Sequence, residues 1–329
     1  MSYWADKSVV VTGGRGFLGS HVVEQVQALN PKSLFVAASS AFDLTLQSDA
    51  ERLFKTHPCD VLLHLAGYVG GIGANKDYPA DFFYRNLMMN TLTLHHAFLA
   101  GVQKVVAAGA GCGYPEHAPL PLKEDCFWDG YPQEVSAPYS LAKRMLMVQA
   151  NAYWRQHRFP IIVGVPGNIY GPYDNFDLEA AHVIPALVRK FVEAVDDGKP
   201  ALTVWGSGKP TRDFVYAGDV AAGLISAAEK CNEPIVINMA SGRDTSVREV
   251  IDALVQVTGY RGKIEWDTSR PDGQERRLFD QSRAEQVLGY KARTSLLDGL
   301  KKTVDWYRAN RATARNTVET PVATLTAAQ

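Results

Sequence analysis

The feature that most constrains the fold of this chain is a glycine-rich segment close to the N-terminus. An apolar, β-branched run at residues 9–12 leads directly into Gly13, Gly16 and Gly19, which have a GxxGxxG spacing. In a strand–turn–helix unit these glycines permit a tight turn, close approach to a pyrophosphate, and close helix–strand packing. The helix N-terminus then faces the phosphates with its partial positive charge. We therefore predict a dinucleotide-binding turn; the alternative is an incidental glycine turn, because such a pattern alone is weak evidence.

Strand and helix signals alternate through the first half of the chain, which predicts an α/β fold with a Rossmann-type, doubly wound parallel sheet. We expect residues 1–170 to form this dinucleotide-binding domain, with segments near 213–242 returning to it. Residues 171–310 are expected to form a smaller C-terminal substrate domain, and residues 311–329 a disordered tail. The pattern predicts strands at 9–12, 34–38, 61–66, 104–108, 161–165 and 235–240, and helices at 21–29, 49–56, 79–99, 138–157, 182–194, 220–230 and 246–258.

Composition excludes several classes of function. The net charge of −1 gives no general attraction to nucleic acid or to an anionic membrane surface. No apolar run approaches the roughly 20 residues of a membrane helix, and the N-terminus has no signal-peptide layout. The four cysteines show no CxxC pairing, so we expect no disulfide framework and no metal site, and a reducing cytoplasm.

The residues around the second predicted strand indicate which dinucleotide binds. An NAD site usually has an acidic residue there, about 20 residues after the glycines, to hold the ribose hydroxyls. This strand instead ends in Ser39 and Ser40. Arg15, in the glycine turn, has a guanidinium suited to a 2′-phosphate, although it could simply lie on the surface. We therefore predict NADP(H) as the cofactor, with Asp43 as a candidate contact for the adenine amino group.

A second motif predicts reducing chemistry. Tyr139 and Lys143 form a YxxxK pair at the start of a predicted helix, and residues i and i+4 share one helical face. A neighbouring ammonium favours phenolate, so we expect it to lower the pKa of Tyr139 and to suit that residue to protonate a carbonyl oxygen. Lys143 would also hold the nicotinamide ribose. The alternative is a solvated surface pair, since the motif occurs by chance.

More specific segments lie at residues 65–75, 79–82, 111–115, 138–143, 168–176, 182–187, 204–208, 212–214 and 270–273. Together these stretches resemble the GDP-L-fucose synthase family, which belongs to the extended short-chain dehydrogenases/reductases. The resemblance covers nearly all of the chain up to about residue 308. The VGGI stretch within 65–75 and the HVIPAL stretch at 182–187 are far more specific than the cofactor motifs, which all extended short-chain enzymes share.

This resemblance implies an activity and assigns two further residues. The family epimerises C3 and C5 of GDP-4-keto-6-deoxy-D-mannose and then reduces the C4 ketone with NADPH, giving GDP-L-fucose. Protons on C3 and C5 are acidic because both carbons flank the ketone. In the family a Cys and a His exchange these protons, and the matching residues here are Cys112 and His182. Without the resemblance, Cys112 would be interpreted as an ordinary buried core residue, and His182 as a residue at the start of a helix.

The resemblance also implies the binding residues and the partners: a GDP-sugar, a second copy of the chain in a homodimer, and neither nucleic acid nor membrane. The homodimer is further predicted from apolar residues on more than one face of the helices at 79–99 and 138–157. The expected substrate contacts are Asn168, Val183, Lys190, Trp205, Arg212 and Arg270, of which Arg270 has a solvated charge as an equal alternative. The expected cofactor contacts are Gly13, Arg15, Gly16, Phe17, Leu18, Gly19, Ser39, Asp43, Leu44, Leu65, Ala66, Gly67, Tyr139, Lys143, Pro166, Asn168 and His182.

The sequence departs from the family at three positions. Ala110 stands where the family has the serine that joins Tyr and Lys in its catalytic triad, and a lost preorganised donor can cost about 10²–10³ in rate. Three explanations compete: water or another hydroxyl replaces the serine, the substrate differs, or reduction is impaired. Gly113 replaces a bulky apolar residue and Gly167 replaces a threonine. These changes predict extra space for a bulkier sugar, such as a heptose or modified deoxyhexose, or else drift that neighbours compensate.

The leading hypothesis is thus a GDP-4-keto-6-deoxy-sugar 3,5-epimerase/4-reductase. One alternative is an NADP(H)-binding epimerase without net reduction, and another is a C4-reductase that lacks epimerase activity. Consumption of NADPH and exchange of the C3 and C5 protons distinguish these three enzymes. A non-catalytic nucleotide sensor is disfavoured, because the candidate catalytic residues Cys112, Tyr139, Lys143 and His182 are all present.

Overall fold

The computed structural model describes residues 2–178, 181–269 and 273–314. The strands are β1 (Ser8–Thr12), β2 (Ser33–Ala37), β3 (Val61–His64), β4 (Lys104–Ala108), β5 (Ile161–Pro166), β6 (Asn168–Tyr170), β7 (Ala201–Trp205), β8 (Thr211–Arg212), β9 (Phe214–Tyr216), β10 (Val236–Met239), β11 (Thr245–Ser246), β12 (Lys263–Asp267) and β13 (Arg276–Arg277). The helices are α1 (Phe17–Ala28), α2 (Gln47–Thr56), α3 (Ile72–Asp77), α4 (Pro79–Leu99), α5 (Ala137–His157), α6 (Val183–Asp196), α7 (Ala217–Lys230), α8 (Val247–Thr258), α9 (Ser282–Leu288) and α10 (Leu296–Asn310).

Six parallel strands form the main sheet, in the order β10–β5–β4–β3–β1–β2. The inner strands β3 and β4 are buried on both faces, because helices cover each side of a parallel sheet, whereas the edge strand β2 is only partly buried. One core contains residues of α2, α4 and α5, and another contains residues of α1 and α7. The predicted Rossmann-type α/β fold is confirmed.

The strand order reverses between β1 and β3, since the chain moves outward to β2 and then returns to build β3, β4 and β5. Ligands of open α/β sheets bind in the crevice that such a reversal leaves beyond the carboxyl ends of the strands. The turn after β1 and the residues after β3 and β4 all reach this edge. The topology therefore places the glycine-rich turn, Ala66, Ala110 and Cys112 along one crevice.

The second half of the chain contributes to both parts of the molecule. Strand β10 joins the edge of the main sheet beside β5, with Asn238 opposite Val165. A third core forms among α6, α8 and α10, together with β7, and includes Phe191, Leu254 and Tyr307. Small sheets β6–β9, β7–β12 and β11–β8–β13 link this core to the crevice. Within the described residues, no helix is long and apolar enough to cross a membrane.

The structure adds elements to those expected from the pattern, and the largest is α10. Its N-cap Ser295 accepts a hydrogen bond from the backbone N–H of Asp298 at 3.1 Å. The first residues of the expected disordered tail are ordered instead. Arg311 forms an ion pair with Asp196 at 2.8 Å, which fixes the chain against α6. The rest of that expected tail, residues 315–329, lies outside the described residues.

Candidate active site

The glycine-rich turn after β1 has the geometry that a bound pyrophosphate requires. Gly13 adopts a φ of +69°, and a Cβ there would lie 2.6 Å from the backbone nitrogen of Ala66. A Cβ on Gly19 would lie 2.7 Å from Gly14 Cα, so α1 packs directly on the turn. Gly16 is the N-cap of α1 and brings no side chain to that end of the helix. The backbone N–H groups of α1 therefore face the crevice, and these residues fit a dinucleotide phosphate.

The end of β2 lacks a carboxylate, as the sequence indicated. Arg15, Ser39 and Ser40 are all exposed at this edge. Asp43 uses its Oδ1 to accept hydrogen bonds from the backbone and hydroxyl of Thr45, at 3.0 and 2.7 Å. Leu44 is packed in the core, so only its backbone is available to a ligand. This arrangement favours a 2′-phosphate over free ribose hydroxyls, because it offers a guanidinium and hydroxyl groups.

Tyr139 and Lys143 lie on the first turns of α5, next to the carboxyl end of β4. The Nζ of Lys143 donates a hydrogen bond to the carbonyl oxygen of Ala108 at 2.8 Å. Burial lowers the pKa of Lys143 to about 8. The expectation that Lys143 lowers the pKa of Tyr139 is wrong for the protein alone. Burial, followed by the nearby Cys112, raises the pKa of that phenol instead, since desolvation disfavours a phenolate.

A buried polar chain beneath Lys143 was missed from the sequence. The hydroxyl of Thr12 lies 2.7 Å from Nδ1 of His64, and the His64 Nε2 lies 3.0 Å from Oδ1 of Asn90. Burial, followed by the charge of Lys143, lowers the pKa of His64 to about 3, so its imidazole is neutral. Asn86 adds two hydrogen bonds to the backbone of Tyr68. Asn86 thus fixes the loop after β3. The only sequence signal of these four residues is polarity within an apolar strand–helix unit.

Cys112 lies in a single 3₁₀ turn, Gly111–Gly113, directly after β4. Its thiol is close enough to act electrostatically on Tyr139 and Lys143, so the structure brings these three predicted residues together. Two arginines that the sequence did not indicate also reach this turn. Arg144 donates to the carbonyl of Gly113 at 2.5 Å, and Arg277 donates to the carbonyl of Gly111.

His182 is the N-cap of α6, and Val183 is the first residue of that helix. Both residues are exposed, and desolvation lowers the pKa of His182 below its usual value. Among the described residues, no hydrogen bond or ring contact joins His182 to Cys112 or Tyr139.

Cationic and aromatic side chains continue from this point towards the substrate side. The ammonium of Lys190 lies 4.7 Å from the centre of the Trp205 ring, which is 58% exposed. Burial, followed by repulsion from Arg277, lowers the pKa of Arg212. Asn168 is in β6, where its backbone N–H donates to the carbonyl of Asp213 at 2.9 Å. Arg270, also expected here, lies outside the described residues.

The expected enlargement of the sugar pocket at Gly113 and Gly167 is wrong. A Cβ on Gly113 would lie 3.0 Å from the Phe127 ring, and one on Gly167 would lie 3.0 Å from the Cβ of Ala240. Neighbouring side chains therefore already fill both positions. This supports the alternative that these substitutions are compensated by surrounding residues. Ala110 is buried and carries no hydroxyl.

The fold and these side chains define a dinucleotide-dependent oxidoreductase of the extended short-chain type. The chain belongs to the NAD dependent epimerase/dehydratase family, whose model matches residues 9–240. It is 37% identical over 311 residues to a putative GDP-L-fucose synthase 2 of Arabidopsis thaliana, covering 94% of each chain.

Solved structures give the same assignment. A GDP-L-fucose synthetase from Naegleria fowleri bound to NADP superposes with a TM-score of 0.88 at 28% identity, covering 96% of this chain and 97% of that one. A GDP-6-OMe-4-keto-L-xylo-heptose reductase from C. jejuni superposes with a TM-score of 0.85 at 28% identity, covering 94% of this chain and 100% of that one. The resemblance to the GDP-L-fucose synthase family is confirmed.

Proposed function

We propose that this protein is an NADPH-dependent GDP-sugar 3,5-epimerase/4-reductase acting on a GDP-4-keto-6-deoxy sugar. The observation that supports the proposal is the electrostatic interaction of Cys112, in the turn after β4, with Tyr139 and Lys143 of α5. A reductase alone needs only the tyrosine and the lysine, whereas a thiol at the same centre adds a group that can exchange carbon-bound protons. The similarity to GDP-L-fucose synthases over nearly the whole chain supports the same activity.

The residues of the crevice fit NADP(H). The backbone N–H groups of Phe17 and Leu18, at the start of α1, would hold the pyrophosphate, with Gly13 and Gly16 shaping the turn. Arg15 and Ser39 would hold the 2′-phosphate. Leu65, Ala66, Gly67, Pro166 and Asn168 would line the nicotinamide side, and Asp43 and the Leu44 backbone the adenine side. When bound, NADPH supplies the hydride that reduces C4.

In the reduction, Tyr139 would donate its phenolic proton to the C4 oxygen. A phenol with a raised pKa is protonated at neutral pH, which is the state needed for this step. The ammonium of Lys143, held by the carbonyl of Ala108, would contact the nicotinamide ribose and restore the proton to Tyr139. Because Ala110 has no hydroxyl, the C4 oxygen receives one hydrogen bond fewer than in the family.

In the epimerisation, Cys112 and His182 would exchange the protons on C3 and C5. The C4 ketone makes these protons acidic, so one group removes a proton and the other returns one to the opposite face. His182 is a neutral imidazole at neutral pH, because its pKa is lowered, and it can therefore accept a proton. His182 comes from the start of α6 and Cys112 from the turn after β4, so the two groups would serve opposite faces of the sugar.

The GDP part would extend along α6 and the small sheets. Lys190 and Arg212 supply positive charge for the diphosphate, and Trp205 supplies an exposed ring for the nucleotide. Asn168 and Val183 would contact the sugar end. We also propose the division into a dinucleotide-binding unit, residues 1–170 with 213–242, and a substrate unit, residues 171–310.

A second candidate is a C4-reductase without epimerase activity, acting on a heptose. The similarity to a GDP-heptose reductase from C. jejuni favours it. Two observations weigh against it: Cys112 and His182 are both kept, and Phe127 and Ala240 close the space that a larger sugar would use. We therefore rank it below the epimerase/reductase.

We further propose a homodimer formed through α4 and α5, and a cytoplasmic location. The two helices pack together, with Phe82, Leu146 and Met147 turned inward. Phe83 and Val148 remain 41% and 48% exposed on the opposite side. Exposed apolar side chains on paired helices suit a four-helix interface with a second copy.

The proposed activity can be tested with a panel of 4-keto GDP-sugars in deuterated water, including the 6-deoxy-mannose derivative and a heptose. NADPH oxidation and deuterium at C3 and C5 of the product should be followed together. We expect both signals with the 6-deoxy sugar, at one NADPH per product. Reduction without deuterium incorporation would support the second candidate, and deuterium incorporation without NADPH oxidation would indicate a pure epimerase.

A further inference from the structure

The turn that carries Cys112 is held at both ends by arginine side chains from different parts of the fold. The carbonyl oxygen of Gly113 accepts a hydrogen bond from Nε of Arg144, at 2.5 Å. The carbonyl oxygen of Gly111 accepts one from Nη2 of Arg277. Gly111 and Arg277 are 166 positions apart in the sequence, so this contact joins the end of β4 to the small sheet containing β13.

Arg144 is almost completely buried, with 4% of its surface exposed. Besides Gly113, its guanidinium reaches the carbonyl of Gly130 at 3.0 Å and lies 5.6 Å from the centre of the Trp128 ring. It follows Lys143 directly in α5, so the helix that supplies the reductive pair also supports the cysteine turn. A shift of α5 would therefore move both halves of the proposed active site.

Arg277 approaches from the opposite side, with its guanidinium 5.9 Å from the centre of the Phe279 ring. That ring also explains the glycine at position 111. A Cβ there would lie 2.8 Å from Cζ of Phe279 and 2.9 Å from the carbonyl oxygen of Pro166. The turn is therefore clamped between the β5 end and β13, and a side chain at position 111 would force it open.

The charges around Cys112 are predominantly positive. Cys112 interacts electrostatically with Tyr139, Lys143 and Arg144 of α5 and with Arg277 of β13, and Arg277 interacts in turn with Arg212. Burial lowers the pKa of both Arg144 and Arg277, and the nearby Cys112 opposes that effect. Within the described part of the chain, Arg144 donates to the carbonyls of Gly113 and Gly130, and Arg277 donates to the Gly111 carbonyl and the Gln274 side chain, all of them neutral acceptors.

Burying a guanidinium among neutral acceptors is unfavourable, so such a group is expected where a negative charge forms. Before proton removal the negative charge lies on the Cys112 thiolate. When the thiolate accepts the proton from C3 or C5 it becomes a neutral thiol, and the charge passes to the C4 oxygen of the enolate. Hydrogen bonds fix the two arginines before the reaction, so they need not move to meet this charge.

We propose that Arg144 and Arg277 are positioning residues. Their hydrogen bonds hold both ends of the Gly111–Gly113 turn, and their positive charges surround the Cys112 thiol during proton exchange. The inference rests on the proposed function for its chemistry, and on the two carbonyl contacts for its geometry. It assigns roles to two residues that the reductive machinery does not use.

Alkylation by iodoacetamide at neutral pH tests, without any substrate, whether the charges of Arg144 and Arg277 act on the Cys112 thiol. The rate constant for Cys112 is followed by peptide mass spectrometry in the full-length protein, which separates it from Cys59, Cys126 and Cys231. The variants are Arg144→Met and Arg277→Met, each with an Arg→Lys partner that keeps the charge. Arg155→Met, an exposed site further along α5, is the matched control.

We expect each Met variant to lower the rate constant by roughly 3- to 10-fold, because a thiol reacts as its anion and a nearby cation favours that anion. The Lys partners should recover most of the loss, and the control should match the wild type. A Met variant with an unchanged or faster rate would overturn the proposal. If Arg144→Met fails to fold, Arg277→Met carries the same test.

Deuterium exchange at C3 and C5 then separates this inference from the proposed function. Exchange on the 6-deoxy 4-keto sugar should fall with the alkylation rate, with little change in substrate KM. Slower alkylation with unchanged deuterium exchange would support the positioning role of the two arginines and refute the role of Cys112 in epimerisation. An unchanged alkylation rate would refute the positioning role of the two arginines, whatever the result of the deuterium exchange.

Discussion

Lys143 lies one helical turn after Tyr139, yet its ammonium donates a hydrogen bond to the carbonyl oxygen of Ala108, 2.8 Å away at the end of β4. This contact fixes the ammonium against the sheet and buries it. Burial then lowers the pKa of Lys143 to about 8, from 10.5 for an exposed lysine. The group is therefore charged at neutral pH and becomes neutral within an accessible range.

The first prediction concerns the pH dependence of reduction. Below about pH 8 Lys143 carries its proton, and above that value it loses it. Because the proposed relay needs the ammonium, kcat/KM for NADPH oxidation should fall as the pH rises through about 8. Steady-state rates between pH 6 and 10 measure this. A profile that stays flat to pH 9.5 would exclude Lys143 as the group whose proton is required.

The second prediction concerns cofactor choice. Arg15→Ala should weaken NADPH binding by about 1.5–3 kcal/mol, as expected for one charged hydrogen-bonding group, and should leave NADH binding nearly unchanged. Titration calorimetry with both cofactors measures the difference. Lys32→Ala is the control, since Lys32 is exposed at the other end of β2 from Ser39. Equal affinity of the wild type for both cofactors would contradict the NADP(H) assignment.

The third prediction separates two neighbouring positions in the turn after β4. Ala110→Ser would restore the missing hydroxyl and should raise NADPH oxidation on GDP-4-keto-6-deoxy-D-mannose, by up to about 10²-fold if that donor limits reduction. Gly111→Ser should instead destabilise the fold by about 1–3 kcal/mol, because its Cβ would lie 2.8 Å from the Phe279 ring. Stopped-flow reduction and urea unfolding measure the two effects. Equal stability of the two variants would contradict the geometry of the turn.

The fourth prediction concerns assembly. Light scattering at micromolar concentration should give the mass of a dimer. Val148→Arg should shift it to a monomer, because a charge would be buried at the centre of the proposed α4–α5 interface. Val287→Arg is the control, since Val287 is similarly exposed on α9, away from these helices. A monomeric wild type would refute the homodimer.

The sequence predicted those parts of the fold that depend on local pattern. The helix at 79–99 and the strand at 104–108 have the bounds that the sequence indicated, because Pro79 starts the helix and the strand is continuously apolar. Glycine spacing likewise indicated the turn after β1. Tyr139, Lys143 and Cys112 could be found from motifs and family resemblance, and the fold brings them together.

Contacts between distant segments could not be predicted in this way. The hydrogen bond from Arg277 to Gly111 depends on how β13 meets the end of β4, which no local pattern encodes. The direction of the Tyr139 pKa depends on burial, which outweighs the effect expected from i, i+4 spacing. Gly113 and Gly167 suggested empty space, yet Phe127 and Ala240 fill it from other elements.

In the proposed mechanism one site performs two separable reactions: Tyr139 serves reduction at C4, and Cys112 and His182 serve proton exchange at C3 and C5. The most direct measurement follows NADPH oxidation and deuterium incorporation together, on GDP-4-keto-6-deoxy-D-mannose in deuterated water. Tyr139→Phe should abolish NADPH oxidation and still allow deuterium into C3 or C5, because the ketone remains to acidify those protons. Cys112→Ser and His182→Asn should block or truncate exchange while reduction of the unepimerised ketone stays measurable. Exchange at the wild-type rate in both of these variants would contradict the account, since other residues would then move the protons.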